Sequence, residues 1–209
     1  MATEQSVNRK ALFLPDRRPF NFAHVLTGLR LVLTPLFVYA IDTGWRRPSL
    51  LNAGLVTGLF LLICASDYCD GPVARTLGLS SGRGKIFDNL ADISFLLVTL
   101  GYLVHLGTVP WWIPTAVAAA FGQYVLDSWL LSDRDTSVVL VSNPIGHWAG
   151  ILNFIGTGVL GLHTATGQQL LPGLATQGLL GLWLAYLLLA MGLRLRFFLH
   201  ARRLGPRRD

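Results

Sequence analysis

Charge and cysteine are both scarce in this sequence. Only 13% of its 209 residues are charged, against about a quarter in an ordinary soluble domain, whereas 52% are hydrophobic. Cys64 and Cys69 stand five apart on one helical stretch, where they point in different directions and form no CxxC pair. These shortages exclude a typical soluble domain, a disulfide framework and a cysteine-based zinc site. They favour an integral membrane protein.

The apolar residues form six stretches, each long enough to cross a bilayer, which takes about 20 helical residues. We predict spans at roughly 22–43, 49–70, 86–106, 109–131, 145–164 and 174–198. The first twenty residues have no apolar core, so we expect span 1 to be an uncleaved insertion signal. The predicted fold is one all-α membrane domain over residues 1–209, with 1–20 as a cytosolic juxtamembrane segment and 200–209 as a basic cytosolic tail.

Lysine and arginine are distributed unevenly between the two sides of the spans. With both termini in the cytosol, every basic residue except Arg30, Arg46 and Arg47 lies on the cytosolic side, as the positive-inside rule requires. We therefore predict cytosolic termini and a location in the cytoplasmic (inner) membrane. The net charge of +6 then reflects topology and attraction to anionic membrane lipid. Nucleic acid is not an expected partner, because the sequence offers no soluble basic surface.

Four aspartates interrupt the apolar pattern where spans 2 and 3 meet the cytosol. Asp67 and Asp70 end span 2, and Asp88 and Asp92 begin span 3. Spacings of three and four place each pair on one face of its helix, so two helices can direct four carboxylates to a common point. An aspartate at the bilayer centre costs about 2.5–3.5 kcal/mol on insertion scales, and four like charges add repulsion. A positive partner is required.

Two kinds of positive partner fit these carboxylates. Divalent cations such as Mg²⁺ or Mn²⁺ prefer oxygen ligands, and two of them would balance four carboxylates. Alternatively, the carboxylates form structural ion pairs with nearby basic residues, namely Arg30, Arg75, Arg83 or Lys85. We favour the metal site, because basic side chains of the connecting loop can reach water by snorkelling.

The residues between the two aspartate pairs suit a phosphate ligand. Gly71 and Gly84 would let a ligand approach the backbone closely. Arg75 supplies a fork of donors that matches phosphate oxygens, although an interfacial positive-inside residue is its simpler explanation.

The segment from Asp67 to Asp92 resembles the signature of the CDP-alcohol phosphotransferase family. It reads Asp67-x-x-Asp70-Gly71-x-x-Ala74-Arg75, eight residues, Gly84, three residues, Asp88, three residues, Asp92. Span 1 is also similar to the opening of phosphatidylglycerophosphate-type members, matching it at Asn21, Thr27, Arg30 and Pro35 but not at Ala23 and His24. The resemblance implies a membrane bundle with its active site at the cytosolic ends of helices 1–3, and a homodimer.

The same resemblance implies a reaction and residue roles. A phosphatidyl group would pass from a CDP-linked lipid such as CDP-diacylglycerol to a polar alcohol, with release of CMP. Two divalent cations would be held by Asp67, Asp70, Asp88 and Asp92. Asp88 and Asp92 would be catalytic, with Asp92 as the base that takes the hydroxyl proton. The CDP and diphosphate contacts would be Gly71, Ala74, Arg75, Gly84 and Thr27.

The acceptor alcohol leaves alternatives open. Glycerol 3-phosphate, which we place ahead of inositol phosphate or another polar alcohol, would need a second basic pocket. The candidate residues are Arg30, Arg134, Arg194 and Arg196. Each also fits a plain interfacial basic residue. Asn89 and Ile93 depart from the Pro and Lys that phosphatidylglycerophosphate synthases tend to show at these places.

Two other classes of membrane protein also use aspartates to bind diphosphates or cations. Membrane prenyltransferases resemble longer bundles with an Asn-Asp-x-x-Asp pattern, which this sequence lacks. A divalent-cation carrier should hold its acids near the membrane centre with an exit to both sides, whereas these four acids cluster at one side. Both classes are therefore disfavoured.

Overall fold

The computed structural model describes residues 22–76, 82–131 and 144–203, and these residues form six α-helices. The helices are α1 Phe22–Arg46, α2 Leu50–Thr76, α3 Gly82–His105, α4 Trp112–Leu131, α5 Pro144–Ala165 and α6 Gly173–Arg203. Each helix overlaps one of the six predicted spans. The prediction of an all-α chain with six helices is confirmed over the described residues.

Two of these helices are long and apolar enough to cross a membrane, over Leu50–Tyr68 and Gly173–Arg196. Three expectations stay predictions. They are that the other four helices also cross the membrane, that both termini are cytosolic, and that residues 1–209 form one membrane domain with a juxtamembrane segment and a basic tail.

Helix α1 is the central element of the bundle. It packs extensively on α2 and α3, and α5 packs against all three of these helices. Within the described residues, α2 and α3 are joined mainly through α1 and α5 rather than by extensive contact with each other. Helix α4 packs on α3 and α6. The two helices that carry the aspartates are therefore held in register by α1.

Aromatic rings fill the interior where these four helices meet. Phe37 of α1 lies 6.1 Å from Phe60 of α2 and 5.5 Å from Phe95 of α3, measured between ring centroids. Phe95 in turn stacks on Phe154 of α5 at 5.3 Å. Such separations are typical of favourable aromatic pairs. One ring from each helix thus contributes to fixing the positions of α1, α2, α3 and α5.

Polar contacts tie the helices together at the end of the bundle opposite the aspartates. Tyr102 of α3 donates a hydrogen bond of 2.5 Å to Asp42 of α1, which also accepts one of 2.9 Å from Arg46. Gly44 lies so close to Ala165 of α5 that a Cβ added at Gly44 would be 2.7 Å from the Ala165 Cβ. This end, called the far end below, holds α1 tightly against α3 and α5.

Candidate active site

Three of the four signature aspartates converge in the structure. Asp67 comes from α2, and Asp88 and Asp92 lie one helical turn apart on α3. One carboxylate oxygen from each lies within 4.8 Å of the others. All three side chains are partly buried. The group is called the aspartate trio below. The predicted convergence of carboxylates from two helices is therefore seen for these three residues.

Arg30 of α1 lies at the centre of the aspartate trio. Its side chain is fully buried, with 0% exposed. One terminal nitrogen lies 3.0 Å from Oδ1 of Asp67, and the other lies 3.0 Å from Oδ1 of Asp88 and also contacts Oδ1 of Asp92. A single guanidinium thus bridges carboxylates from two helices. Among the described side chains, three carboxylates meet one guanidinium.

The other predicted site residues lie on the same three helices. Asp70, Gly71, Ala74 and Arg75 lie in the last two turns of α2, and Gly84 lies in the first turn of α3. The side chains of Asp70, Ala74 and Arg75 are outside the described part of the structure. Thr27 is buried on α1, three residues before Arg30 and so on the same helix face. The side chains of Arg83 and Lys85 are also outside the described part.

A cavity of about 770 Å³ opens beside the aspartate trio. Asp67 and Asp92 border it, and its other walls come from α3, α4, α5 and α6. Most of the lining is apolar, including Leu96, Phe121 and Phe154. A space of this size suits a ligand pocket, and it brings an apolar environment directly to the carboxylates.

Arg194 lies on the α6 wall of this cavity. Its Nε donates a hydrogen bond of 3.1 Å to Asp127 of α4, which is buried. Its guanidinium lies 4.4 Å from the ring centroid of Tyr124, in the geometry of a cation–π contact. Sequence reasoning missed Asp127 and Tyr124. A signal was available for Asp127, since a lone acid in an apolar span marks a functional site by default.

The four candidate acceptor arginines are therefore not in equivalent places. Arg30 is held by the aspartate trio, and Arg194 lines the cavity with Asp127 as its partner. Arg196 is exposed on α6. Arg134 falls outside the described residues. Among the candidate arginines that the structure describes, Arg194 is the one that lines the cavity.

The aspartate trio fits a hard divalent cation. It offers oxygen donors only, from partly buried side chains close to one another, as Mg²⁺ and Mn²⁺ prefer. One guanidinium balances only one of three carboxylates, and carboxylates close to one another favour a nearby cation. The contacts of Arg30 also show that the alternative to a metal site, structural ion pairs with a basic residue, is present for these three aspartates.

Comparison with known proteins identifies the family. Residues 20–197 match the CDP-alcohol phosphatidyltransferase family, which covers most of the chain. The chain belongs to this family, whose members are membrane proteins.

Three relatives show where the similarity extends. A Mycobacterium tuberculosis protein named "Probable phosphatidylglycerophosphate synthase" is 33% identical over 46% of this chain and 46% of its own length. Two further relatives are named CDP-diacylglycerol--glycerol-3-phosphate 3-phosphatidyltransferase. The one from Arabidopsis thaliana is 28% identical over 71% of this chain and 67% of its own length. The one from Bacillus subtilis is 27% identical over 64% of this chain and 74% of its own length. The chain spans about half the length of the mycobacterial relative.

Proposed function

We propose that this protein transfers a phosphatidyl group from a CDP-linked lipid such as CDP-diacylglycerol to a polar alcohol and releases CMP. Membership of the family supports this class of reaction. The observation that carries the proposal is the meeting of Asp67, Asp88 and Asp92 at one point beside an interhelical cavity. Phosphate groups would lie at the carboxylates, and apolar parts of the substrates would lie against the helices.

The proposed metal ligands are Asp67, Asp70, Asp88 and Asp92, for two ions of Mg²⁺ or Mn²⁺. Such ions, when bound, would neutralise the diphosphate oxygens and the charge that develops on the leaving oxygen. The protein's own contribution is to hold the carboxylates of α2 and α3 in one place, which α1 achieves through its packing on both helices. Positioning and electrostatics would then supply most of the catalysis.

Asp92 is the proposed general base. It is the least exposed member of the aspartate trio and borders the cavity through which an alcohol would approach. The alcohol oxygen forms a bond to the phosphatidyl phosphorus, and the bond from that phosphorus to the bridging oxygen of the diphosphate breaks. The hydroxyl proton passes to Asp92, and CMP leaves with the bridging oxygen.

The proposed donor site continues from the aspartate trio along α1, α2 and α3. Arg75 would pair with the diphosphate through its donor fork, and Gly71, Ala74 and Gly84 would let the cytidine approach the backbone. Thr27 supports this arrangement by its position, since it shares a buried helix face with Arg30.

The proposed acceptor is glycerol 3-phosphate. Support comes from the two relatives whose names specify that acceptor and from Arg194 on the cavity wall. Inositol phosphate or another polar alcohol is the alternative, and a lipid alcohol would also suit the apolar lining. Arg134 and Arg196 are the further candidates for contact with the acceptor phosphate.

We also propose a multi-pass protein of the cytoplasmic membrane that has both termini and its active site on the cytosolic side and forms a homodimer. The distribution of lysine and arginine along the sequence supports this orientation. A cytosolic active site would meet the water-soluble nucleotide and the membrane lipid at one interface.

A panel of acceptors tests the proposed function. The purified protein is given CDP-diacylglycerol, Mg²⁺ and one acceptor at a time: glycerol 3-phosphate, inositol phosphate, inositol, serine, choline or a lipid alcohol. We expect CMP release to be fastest with glycerol 3-phosphate and the lipid product to carry it. Release with a different acceptor alone would overturn the acceptor assignment, and release with none of them would overturn the reaction.

A further inference from the structure

The contacts of Arg30 give this residue a role distinct from acceptor binding. Its guanidinium contacts all three carboxylates of the aspartate trio, and its side chain has no exposed surface. Thr34, which lies one turn after Arg30 on α1, donates a hydrogen bond of 2.8 Å to the backbone carbonyl of Arg30. An arginine enclosed in this way is oriented towards the carboxylates rather than towards the cavity, which Arg30 does not line.

The aspartate trio would be unfavourable without a cation in its midst. Three carboxylates within 4.8 Å of one another repel, and removal of one partner from a buried ionic group leaves an uncompensated charge. The repulsion would push α2 away from α3, because Asp67 belongs to one helix and Asp88 and Asp92 to the other. Arg30 opposes this separation. It belongs to α1, the helix that packs on both α2 and α3.

The oxygen atoms that Arg30 uses are compatible with metal binding. Its contacts with Asp67 and Asp88 are to Oδ1 in each case, and a carboxylate has a second oxygen that can ligate an ion. One guanidinium offsets only part of the charge of three carboxylates. Arg30 can therefore stay in place while a divalent cation binds the same aspartates.

We propose that Arg30 is the internal counter-ion of the metal site: it holds the aspartate trio together before a divalent cation arrives and lowers the affinity of the trio for that cation. This inference rests on the proposed metal-dependent function. Arg30 acts through the carboxylates and is a positioning residue. Its position on α1 links the formation of the metal site to the packing of α1 between α2 and α3.

The sign of the effect follows from charge. Replacement of Arg30 by methionine keeps a long apolar stem but removes the positive charge, so the metal-free site gains repulsion. The same change raises the negative potential at the carboxylates, and a divalent cation is then bound more tightly. Metal should therefore restore to the variant most of the stability that it has lost.

The experiment measures Mn²⁺ affinity and thermal unfolding of the purified full-length protein. Free Mn²⁺ is followed by electron paramagnetic resonance during titration, and unfolding is recorded in chelator and in saturating Mn²⁺. For Arg30→Met we expect Mn²⁺ binding about tenfold tighter than in the wild type. We also expect a midpoint several degrees lower in chelator, with most of that difference removed by Mn²⁺.

Two matched variants control for the loss of an arginine. Arg30→Lys keeps the charge and should bind Mn²⁺ with an affinity close to that of the wild type. Arg46→Met removes another arginine of α1, paired with Asp42 at the far end, and should leave Mn²⁺ affinity unchanged. If Arg30→Met does not fold in either condition, the double variant Arg30→Met/Asp88→Asn is tested in chelator. It should fold, because one repelling carboxylate is gone, and failure to fold would overturn the proposal.

The outcomes separate this inference from the proposed function. Absence of Mn²⁺ binding by the wild-type protein would contradict the metal-dependent function itself. Binding by the wild type, with equal or weaker binding by Arg30→Met, would overturn the counter-ion role alone. A role for Arg30 in acceptor binding would instead appear as a raised KM for the acceptor with unchanged Mn²⁺ affinity.

Discussion

Asp92 differs from its two partners in its surroundings. Asp67 and Asp92 both border the cavity, and Asp92 is the less exposed of the two. Asp88 contacts Arg30 at 3.0 Å but does not line the cavity. A group that takes a proton from an entering alcohol must reach the space in which the alcohol lies. Asp67 and Asp92 both meet that requirement, and Asp92 is the one that we propose as the base.

Replacement of Asp92 by asparagine should abolish most of the activity. Asparagine preserves the shape of the side chain but neither accepts the hydroxyl proton nor carries the charge that a metal ion needs. We expect CMP release to fall by at least about 100-fold, measured at equal protein level with CDP-diacylglycerol and saturating Mg²⁺. Asp42→Asn at the far end should retain activity. Turnover near the wild-type rate in Asp92→Asn would remove Asp92 from the mechanism.

Sequence spacing predicted the aspartate trio better than its partners. Because a spacing of four residues fixes a shared helix face, Asp88 and Asp92 could be placed together without a structure. Arg30 was one of four possible ion-pair partners, but its central position could not be predicted, since it depends on how α1 packs against α2 and α3 and hydropathy does not determine which helices are neighbours. Asp127 could have been singled out as the only acid in its span, whereas its partner Arg194 depends on the packing of α4 against α6.

At the scale of helices, the predicted spans of α2 and α6 end before the helices themselves do. Helix α2 continues to Thr76 and α6 to Arg203, whereas the predicted spans end at 70 and 198. Hydropathy marks where apolar side chains give way to charged ones. Backbone hydrogen bonding continues beyond that point, because charged side chains on a helix can reach water while the helix itself persists. The aspartates therefore lie on helices that extend past the apolar spans.

The close approach of α1 to α5 gives a prediction for Gly44. An alanine there would place its Cβ 2.7 Å from the Ala165 Cβ and 2.8 Å from the Ala165 backbone oxygen. We expect Gly44→Ala to lower the free energy of unfolding by about 1–3 kcal/mol, measured by thermal or denaturant unfolding in detergent. Gly28→Ala is the matched control on the same helix, since in the described part of the structure no atom beyond its chain neighbours and its own helix backbone lies within 4 Å of an added Cβ. It should be neutral or stabilising by up to about 1 kcal/mol. Equal stabilities for the two variants would contradict the tight α1–α5 contact.

At the scale of the whole molecule, the ion pairs of the described residues lie at the two ends of the bundle. One end holds Arg30 with the aspartate trio and Arg194 with Asp127. The far end holds Asp42 with Tyr102 and Arg46. The aromatic rings of Phe37, Phe60, Phe95 and Phe154 lie in the interior between them. This separation agrees with the proposed catalytic role of the end that holds the aspartate trio and with a structural role of the far end.

The proposed orientation can be checked by cysteine labelling. In a background with Cys64 and Cys69 replaced by serine, Ser49→Cys marks the connection between α1 and α2, and Ser80→Cys marks the connection between α2 and α3. We expect a membrane-impermeant maleimide to label position 49 in intact cells and position 80 only after permeabilisation, because lysine and arginine favour the cytosolic side. The reverse pattern would invert the topology.

The packed phenylalanines have a consequence for how a change in one helix spreads to the others. Phe95 contacts Phe37 of α1 and Phe154 of α5 and belongs to the helix that carries Asp88 and Asp92. Loss of its ring would leave both neighbours without a contact, so damage at this single position would be felt by three helices at once and would reach the carboxylates without touching them.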